Sequence, residues 1–250
     1  ARVVDGEALG LVGDAGYANG ARARQIRDVL RASSTVTEAD LLALQRDDRA
    51  LFLQRWHALL QEEAARSEDP DLDALAAASA GWTGRAAVDS VDYRIVRAWR
   101  LAVIERIQNG LLAPAQAALG EDFVMPDLPQ AEAFAWPLVQ QRPAHLLPRK
   151  FASWDALLAD AARDIRGQLE EAGPLADRSW GERNSAHICH PLAEFGRGNW
   201  RKPHVLSGVA FEQVGQLRSR HGPGGGDFKG LPSQIRPRQR RNGDAGLIMM

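Results

Sequence analysis

Few residues in this chain are of a type and spacing that could do chemistry. His187, Cys189 and His190 place three soft metal-ligand types within four positions. A structural zinc site draws four ligands, usually as two separated pairs, and no second pair accompanies this one. Cys189 is the single cysteine, so a thiolate nucleophile beside a histidine base is conceivable. Catalytic partners are normally brought together from distant positions, however, not from neighbours. Ordinary packing is the better reading of all three. Gly222-Pro223-Gly224-Gly225-Gly226 would need a preceding strand, a following helix and a closing Gly-Lys-Ser/Thr to cradle phosphate. Asp227-Phe228-Lys229-Gly230 follows instead, which excludes a phosphate loop. Arg22 is of a different kind. If Asn19 caps a helix, Arg22 falls in its first turn, where the dipole is already positive and a cation costs about 0.3–1 kcal/mol. Arg24 and Arg27 follow it. Such a charge is either tolerated at the surface or compensated by a tertiary anion or an active site, and both readings stand at this point.

The elements that must position these residues are helices. The spacing predicts one from Asn19 to about Leu30, with Ala21, Ile26, Val29 and Leu30 inward. Thr37 followed by Asp40 resembles a capping box. From there Leu41, Leu44, Leu51, Phe52, Trp56, Leu59 and Leu60 carry a stripe to about Ala65, where Asp69-Pro70 stops it. Asp89 or Ser90 caps a third helix whose Val91, Ile95, Trp99, Ala102, Val103 and Ile107 cover more than one face. It is therefore expected at the centre of the fold, ending at Gly110 and Pro114. Ser153 caps another, with Leu157, Leu158, Ala161, Ile165 and Leu169 inward. Strand signals are short, at Arg2–Val4 and Ala186–Cys189. The fold class is mainly α with few short strands.

Composition divides the chain near Trp200. The 250 residues carry 31 basic and 32 acidic side chains, a net charge of −1, so overall charge points to no nucleic-acid partner. The longest apolar runs are only a few residues, too short for a membrane span. Residues 1–200 are Ala- and Leu-rich with helical spacing. Residues 201–250 gather nine basic against three acidic side chains, together with Arg236-Pro237-Arg238-Gln239-Arg240-Arg241. They read as a basic Gly/Arg-rich tail, disordered or frameshifted, too polar to build a core. A second reading of the whole follows from the tail: a non-enzymatic helical scaffold that contacts an acidic partner or RNA.

Four segments, in order, carry a family resemblance. Gly16-Tyr17-Ala18-Asn19-Gly20-Ala21-Arg22-Ala23-Arg24-Gln25-Ile26 resembles the lead into the Arg-x-x-x-Ile helix of the penicillin acylase (penicillin amidase) family. Leu41-Leu42-Ala43-Leu44-Gln45-Arg46-Asp47 resembles that family's Leu-Gln-x-Asp helix. Gly81-Trp82-Thr83-Gly84-Arg85-Ala86 with Asp89-Ser90 is similar to its Trp-x-Gly stretch. Trp180-Gly181-Glu182-Arg183-Asn184-Ser185-Ala186-His187-Ile188-Cys189-His190-Pro191-Leu192 resembles its Trp-Gly-Glu-Arg-Asn…His-Pro-Leu segment.

The resemblance implies the helical, carboxy-terminal portion of the large subunit of an αββα N-terminal-nucleophile hydrolase. In that family a precursor cuts itself to expose a Ser whose own α-amino group is the general base. An Asn side chain and a backbone N–H stabilise the oxyanion, and an Arg tunes the charge beside them. The reaction is hydrolysis of a linear amide, with β-lactam side-chain amides and N-acyl homoserine lactones among the family's substrates. Arg22 matches the family's active-site Arg. The resemblance places the nucleophilic Ser and the oxyanion Asn before Ala1, so residues 1–250 alone are expected to be a catalytically incomplete fragment. It also implies a calcium site whose carboxylates come mostly from before Ala1, with Asp5 and Asp14 as available contributors. The implied partners are a small (α) subunit and the rest of the large one, in the periplasm or outside the cell. Residues 203–250 depart from the family pattern, lacking its Gly-Ala-Ser-x-Arg and Pro-Gly-Gly-Gln-Ser-Gly-His-Pro segments.

Overall fold

A computed structural model describes residue 4, residues 6–13 and residues 17–185. Its α-helices there are α1 (Gly6–Val12), α2 (Ala21–Ala32), α3 (Glu38–Gln45), α4 (Gln54–Ser67), α5 (Pro70–Ala78), α6 (Val91–Leu119), α7 (Glu132–Gln141), α8 (Trp154–Glu170) and α9 (Trp180–Arg183). The expected mainly α class holds, and no strand occurs among the described residues. An isolated antiparallel bridge joins Arg49 to Arg85. Of the expected strands, Ala186–Cys189 lies outside the described residues, as do Arg2 and Val3. The basic tail of residues 201–250 lies outside them too.

The central helix is α6, as its apolar pattern requires. Ser90 Oγ accepts the Tyr93 N–H at 3.1 Å and starts it. Ile95, Val96, Trp99, Val103 and Ile107 then have no exposed surface. Helices α4, α5, α7 and α8 pack around it, and α5 also packs on α4 and α8. Ser153 caps α8 through the Ala156 N–H, and Leu157, Leu158, Ala161, Ile165 and Leu169 are buried as expected. Trp56 is an aromatic hub: it meets Trp99 edge-on at 6.0 Å and Trp136 at 5.2 Å. No helix among the described residues is long and apolar enough to cross a membrane.

Several boundaries differ from the sequence reading, each for a local reason. The stripe from Leu41 to Ala65 is not one helix; it breaks after Gln45 and resumes at Gln54 through a 3₁₀ turn, Leu51–Leu53. Asp47 Oδ1 accepts the Arg49 N–H at 3.1 Å, a side-chain bond that competes with helix continuation. The break turns Leu41 and Leu51 outward and puts Leu53 in the core. Asp69-Pro70 ends α4 but also begins α5, because Asp69 accepts the N–H groups of Asp71 and Leu72 and Pro70 takes the first helical position. Asn19 Oδ1 accepts the Ala21 N–H at 3.0 Å, while Gly20 holds the cap position. None of α2 is fully buried, and Leu30 is exposed.

Gly110 and Pro114 do not end α6, which runs on to Leu119. The Ala- and Leu-rich sequence beyond Gly110 favours helix, and Pro114 sits where the helix has left the core, with Leu111 and Leu119 exposed. Gly110 is there because Pro148 packs against it: a Cβ would overlap the proline ring. Gly→Ala inside a helix ordinarily stabilises by about 0.5–1 kcal/mol. Here the sign reverses. Gly110→Ala is expected to lose about 1–3 kcal/mol through the forced shift of Pro148, checked by chemical denaturation of the two proteins side by side.

Candidate functional site

Arg22 is the second residue of α2, and its guanidinium crosses to the end of α3. Nη1 donates to the Asp47 carbonyl at 2.9 Å and Nη2 to the Leu44 carbonyl at 2.6 Å. The Asp47 carboxylate lies 3.8 Å away. The cation that looks misplaced at the start of α2 therefore lies on the negative end of another helix. The expected local cost is offset, and the side chain ties α2 to α3. Arg24 is exposed, and Arg27 pairs with its neighbour Asp28 at 2.8 Å.

Asp47 is the other half of the arrangement. Its Oδ1 accepts from Arg49 Nε at 2.8 Å, and its Oδ2 accepts from Arg49 Nη2 at 2.7 Å and from Gln25 Nε2 at 2.5 Å. The two-pronged Arg49 contact, with help from Gln25 and the Arg49 N–H, outweighs burial and holds the carboxyl well below its ordinary range. The Leu-Gln-x-Asp motif contains Asp47, but its type and spacing alone point to no role for it, nor for Gln25 or Arg49. The one signal available was Gln25 falling three residues after Arg22, on the same helix face. A shallow groove beside Asp47 is lined by Val29, Ser33, Ala43 and Leu44. Ser33 Oγ donates to its own helix at Val29, so it is not an activated nucleophile.

The four motif segments form a connected series. Arg22 and Gln25 join the first to Leu44 and Asp47. Just beyond, the Ala50 N–H donates to the Gly84 carbonyl at 2.7 Å and the Ala86 N–H to the Asp48 carbonyl at 2.8 Å. The third segment then receives the fourth: Trp180 N–H meets the Ser90 carbonyl at 2.8 Å and Gly181 N–H the Val88 carbonyl at 2.6 Å. Only glycine fits at 181, since a Cβ would come 2.7 Å from the Val88 oxygen. Tyr93 packs edge-on against Trp180 at 4.9 Å.

Asp92 anchors the middle of this series. Its Oδ2 accepts the Thr83 N–H at 2.6 Å and the Thr83 hydroxyl at 3.0 Å, and the Ser90 hydroxyl bonds its Oδ1. Burial raises its pKa, but the Ser90 and Thr83 bonds together win and hold it below the ordinary 3.8. A depressed carboxylate contributes stability that is complete above its unfolded pKa and is lost as pH falls through the folded one. Asp92→Asn should therefore be less stable than the parent between pH 5 and 7, with the gap closing as pH falls below the ordinary 3.8 and through the lowered folded value. Urea denaturation at three pH values measures it, and a gap independent of pH would show that the charge plays no part.

The sequence model of the penicillin amidase family matches residues 2–228. The chain belongs to this family. No curated protein matches it. Membership supports an amidohydrolase-like function in general, and the matched stretch runs past the change of composition near Trp200. Of the remaining sequence candidates, Asp5, Asp14, His187, Cys189, His190 and Gly222–Gly226 lie outside the described residues. Among the described residues no three His, Cys, Asp or Glu side chains gather as a metal would require. The resemblance draws its calcium carboxylates mostly from before Ala1, with Asp5 and Asp14 as contributors, so the described side chains are not its expected ligands.

Proposed function

We propose that this chain supplies Arg22 to the active site of a penicillin amidase-family hydrolase acting on a linear amide. On this reading the α-amino group of an N-terminal Ser takes the hydroxyl proton as oxygen attacks the amide carbonyl. The tetrahedral oxyanion collapses, the amine leaves with the proton, and water then hydrolyses the ester of the acyl-enzyme. Arg22 contributes a fixed positive charge beside the developing negative charge. The small subunit and the rest of the large one complete the site, outside the cytoplasm. The observation that carries the reading is the state of the Arg22 side chain. It is anchored at two backbone carbonyls and still 30% exposed, so three of its five N–H donors stay uncommitted by those two bonds.

The test uses the natural gene product, purified as the cell makes it, with penicillin G, phenylacetyl amides and acyl homoserine lactones as substrates. Arg22→Ala is expected to lower kcat on the order of 10²-fold, the usual effect of removing one preorganised electrostatic group. Arg22→Lys recovers only part, because an ammonium cannot span the Leu44 and Asp47 carbonyls as the guanidinium fork does. Arg24→Ala and Arg27→Ala should stay near the parent. If all three alanine variants turn over alike, Arg22 only joins two helices.

A further inference from the structure

We infer that Asp47, backed by Gln25 and Arg49, is a positioning residue that aims Arg22 without neutralising it; this rests on the reading of Arg22 given above. The two helices that carry the contact have little fully buried apolar surface to hold them in register. No residue of α2 is buried, and in α3 only Leu44 is. Hydrogen bonds must set the distance between them, and Asp47 is where these converge. Its carbonyl holds Arg22 Nη1 at 2.9 Å, and its carboxylate holds Gln25 Nε2, from the helix that carries Arg22, at 2.5 Å. One residue thus grips α2 at two points one turn apart.

The charge arithmetic follows from which arginine holds the carboxylate. Arg49 takes it two-pronged, at 2.8 and 2.7 Å, whereas Arg22 stands off at 3.8 Å. Coulomb attraction falls with distance, and a bidentate pair fixes geometry as well as charge. The Asp47 charge is therefore spent chiefly on Arg49. Arg22 is oriented by neutral carbonyls and keeps most of its positive charge for another anion. Had the carboxylate paired two-pronged with Arg22 instead, the cation would be as well placed and largely cancelled. Asp47 is only 10% exposed in its side chain, so solvent does not compete strongly for it.

The experiment is a double-mutant cycle on the natural gene product, following kcat and KM for a phenylacetyl amide. Asp47→Asn keeps the shape and the backbone carbonyl but sets an amide against Arg49. It is expected to lower kcat about ten-fold, a typical effect of misplacing a group near the chemistry, with KM within about two-fold. In the Arg22→Ala background the same substitution should change kcat by less than about two-fold, because the group it positions is gone. Asp47→Asn that leaves kcat unchanged, or keeps its full effect without Arg22, overturns the inference while leaving the reading of Arg22 intact. Arg22→Ala with normal kcat overturns both. Should Asp47→Asn protein not accumulate, Gln25→Leu removes one grip only and carries the same cycle, with an expected loss of about three-fold that must vanish in the Arg22→Ala background.

Discussion

Glu132→Ala removes about 3–5 kcal/mol of stability at pH 7, the usual consequence of taking one partner from a buried charge network. Glu132 lies on α7 with almost no exposed surface. Its Oε1 accepts from the Arg55 guanidinium and from Trp56 Nε1 at 2.8 Å, and its Oε2 accepts from Arg100 Nε at 2.8 Å. One carboxylate thus pairs with cations from α4 and α6. Both guanidiniums also lie over aromatic rings, Arg55 over Phe52 and Trp136, and Arg100 over Phe52. Those contacts are worth of order 1 kcal/mol each and cannot replace a full counter-charge. Alanine would leave Arg100 buried and unpaired, with a Trp N–H lacking an acceptor. Glu132→Gln keeps an acceptor for Trp56 but not the charge, and should fall between parent and alanine. Guanidinium denaturation of the three proteins measures this. A loss below about 1 kcal/mol for alanine would mean that water reaches the network and screens it.

The second large effect is expected at Trp99. It is fully buried on α6, meets Trp56 edge-on, and its Nε1 donates to the Leu158 carbonyl of α8 at 3.2 Å. Trp→Ala in such a place costs about 3–5 kcal/mol, lost burial and the residual cavity together. Trp99→Phe keeps most of the volume and loses the bond, so a smaller loss of about 1–2 kcal/mol follows from the hydrogen bond and the trimmed ring. Denaturation midpoints decide. If alanine and phenylalanine cost the same, the hydrogen bond and not the ring holds α6 to α8.

These two sites differ in how far the sequence announces them. Trp99 sits in an apolar stripe whose period and cap at Ser90 locate helix, face and depth at once. The α8 stripe from Ser153 is as plain. Glu132 gives no such signal: a carboxylate directly after Leu128-Pro129-Gln130-Ala131 looks like surface, and only the partners from Arg55 and Arg100 make its burial possible. The short helix α5 was hidden for a similar reason, since Asp69-Pro70 marks an end and a beginning equally well. At the candidate site, Arg22 could be singled out by its adverse place in a helix dipole. Asp47 could not, because the same stripe that suggested one long helix hid the turn in which its carboxylate works. Helix interiors follow from local spacing, whereas breaks are decided by partners far along the chain.

The second, third and fourth motif segments are joined from main-chain amide to main-chain carbonyl, at Ala50 to Gly84, Ala86 to Asp48, Trp180 to Ser90 and Gly181 to Val88. Such links read position and ignore side-chain identity. Substitution at Ala50, Ala86 or Val88 can accumulate over evolutionary time without unfastening the series, as long as volume is respected. Adding or removing a single residue between 84 and 90 cannot, because every later donor would face the wrong acceptor. Insertions and deletions are therefore expected, on this geometry, in the helix-to-helix connections outside these segments. The motifs are better described as fixed rulers than as fixed words.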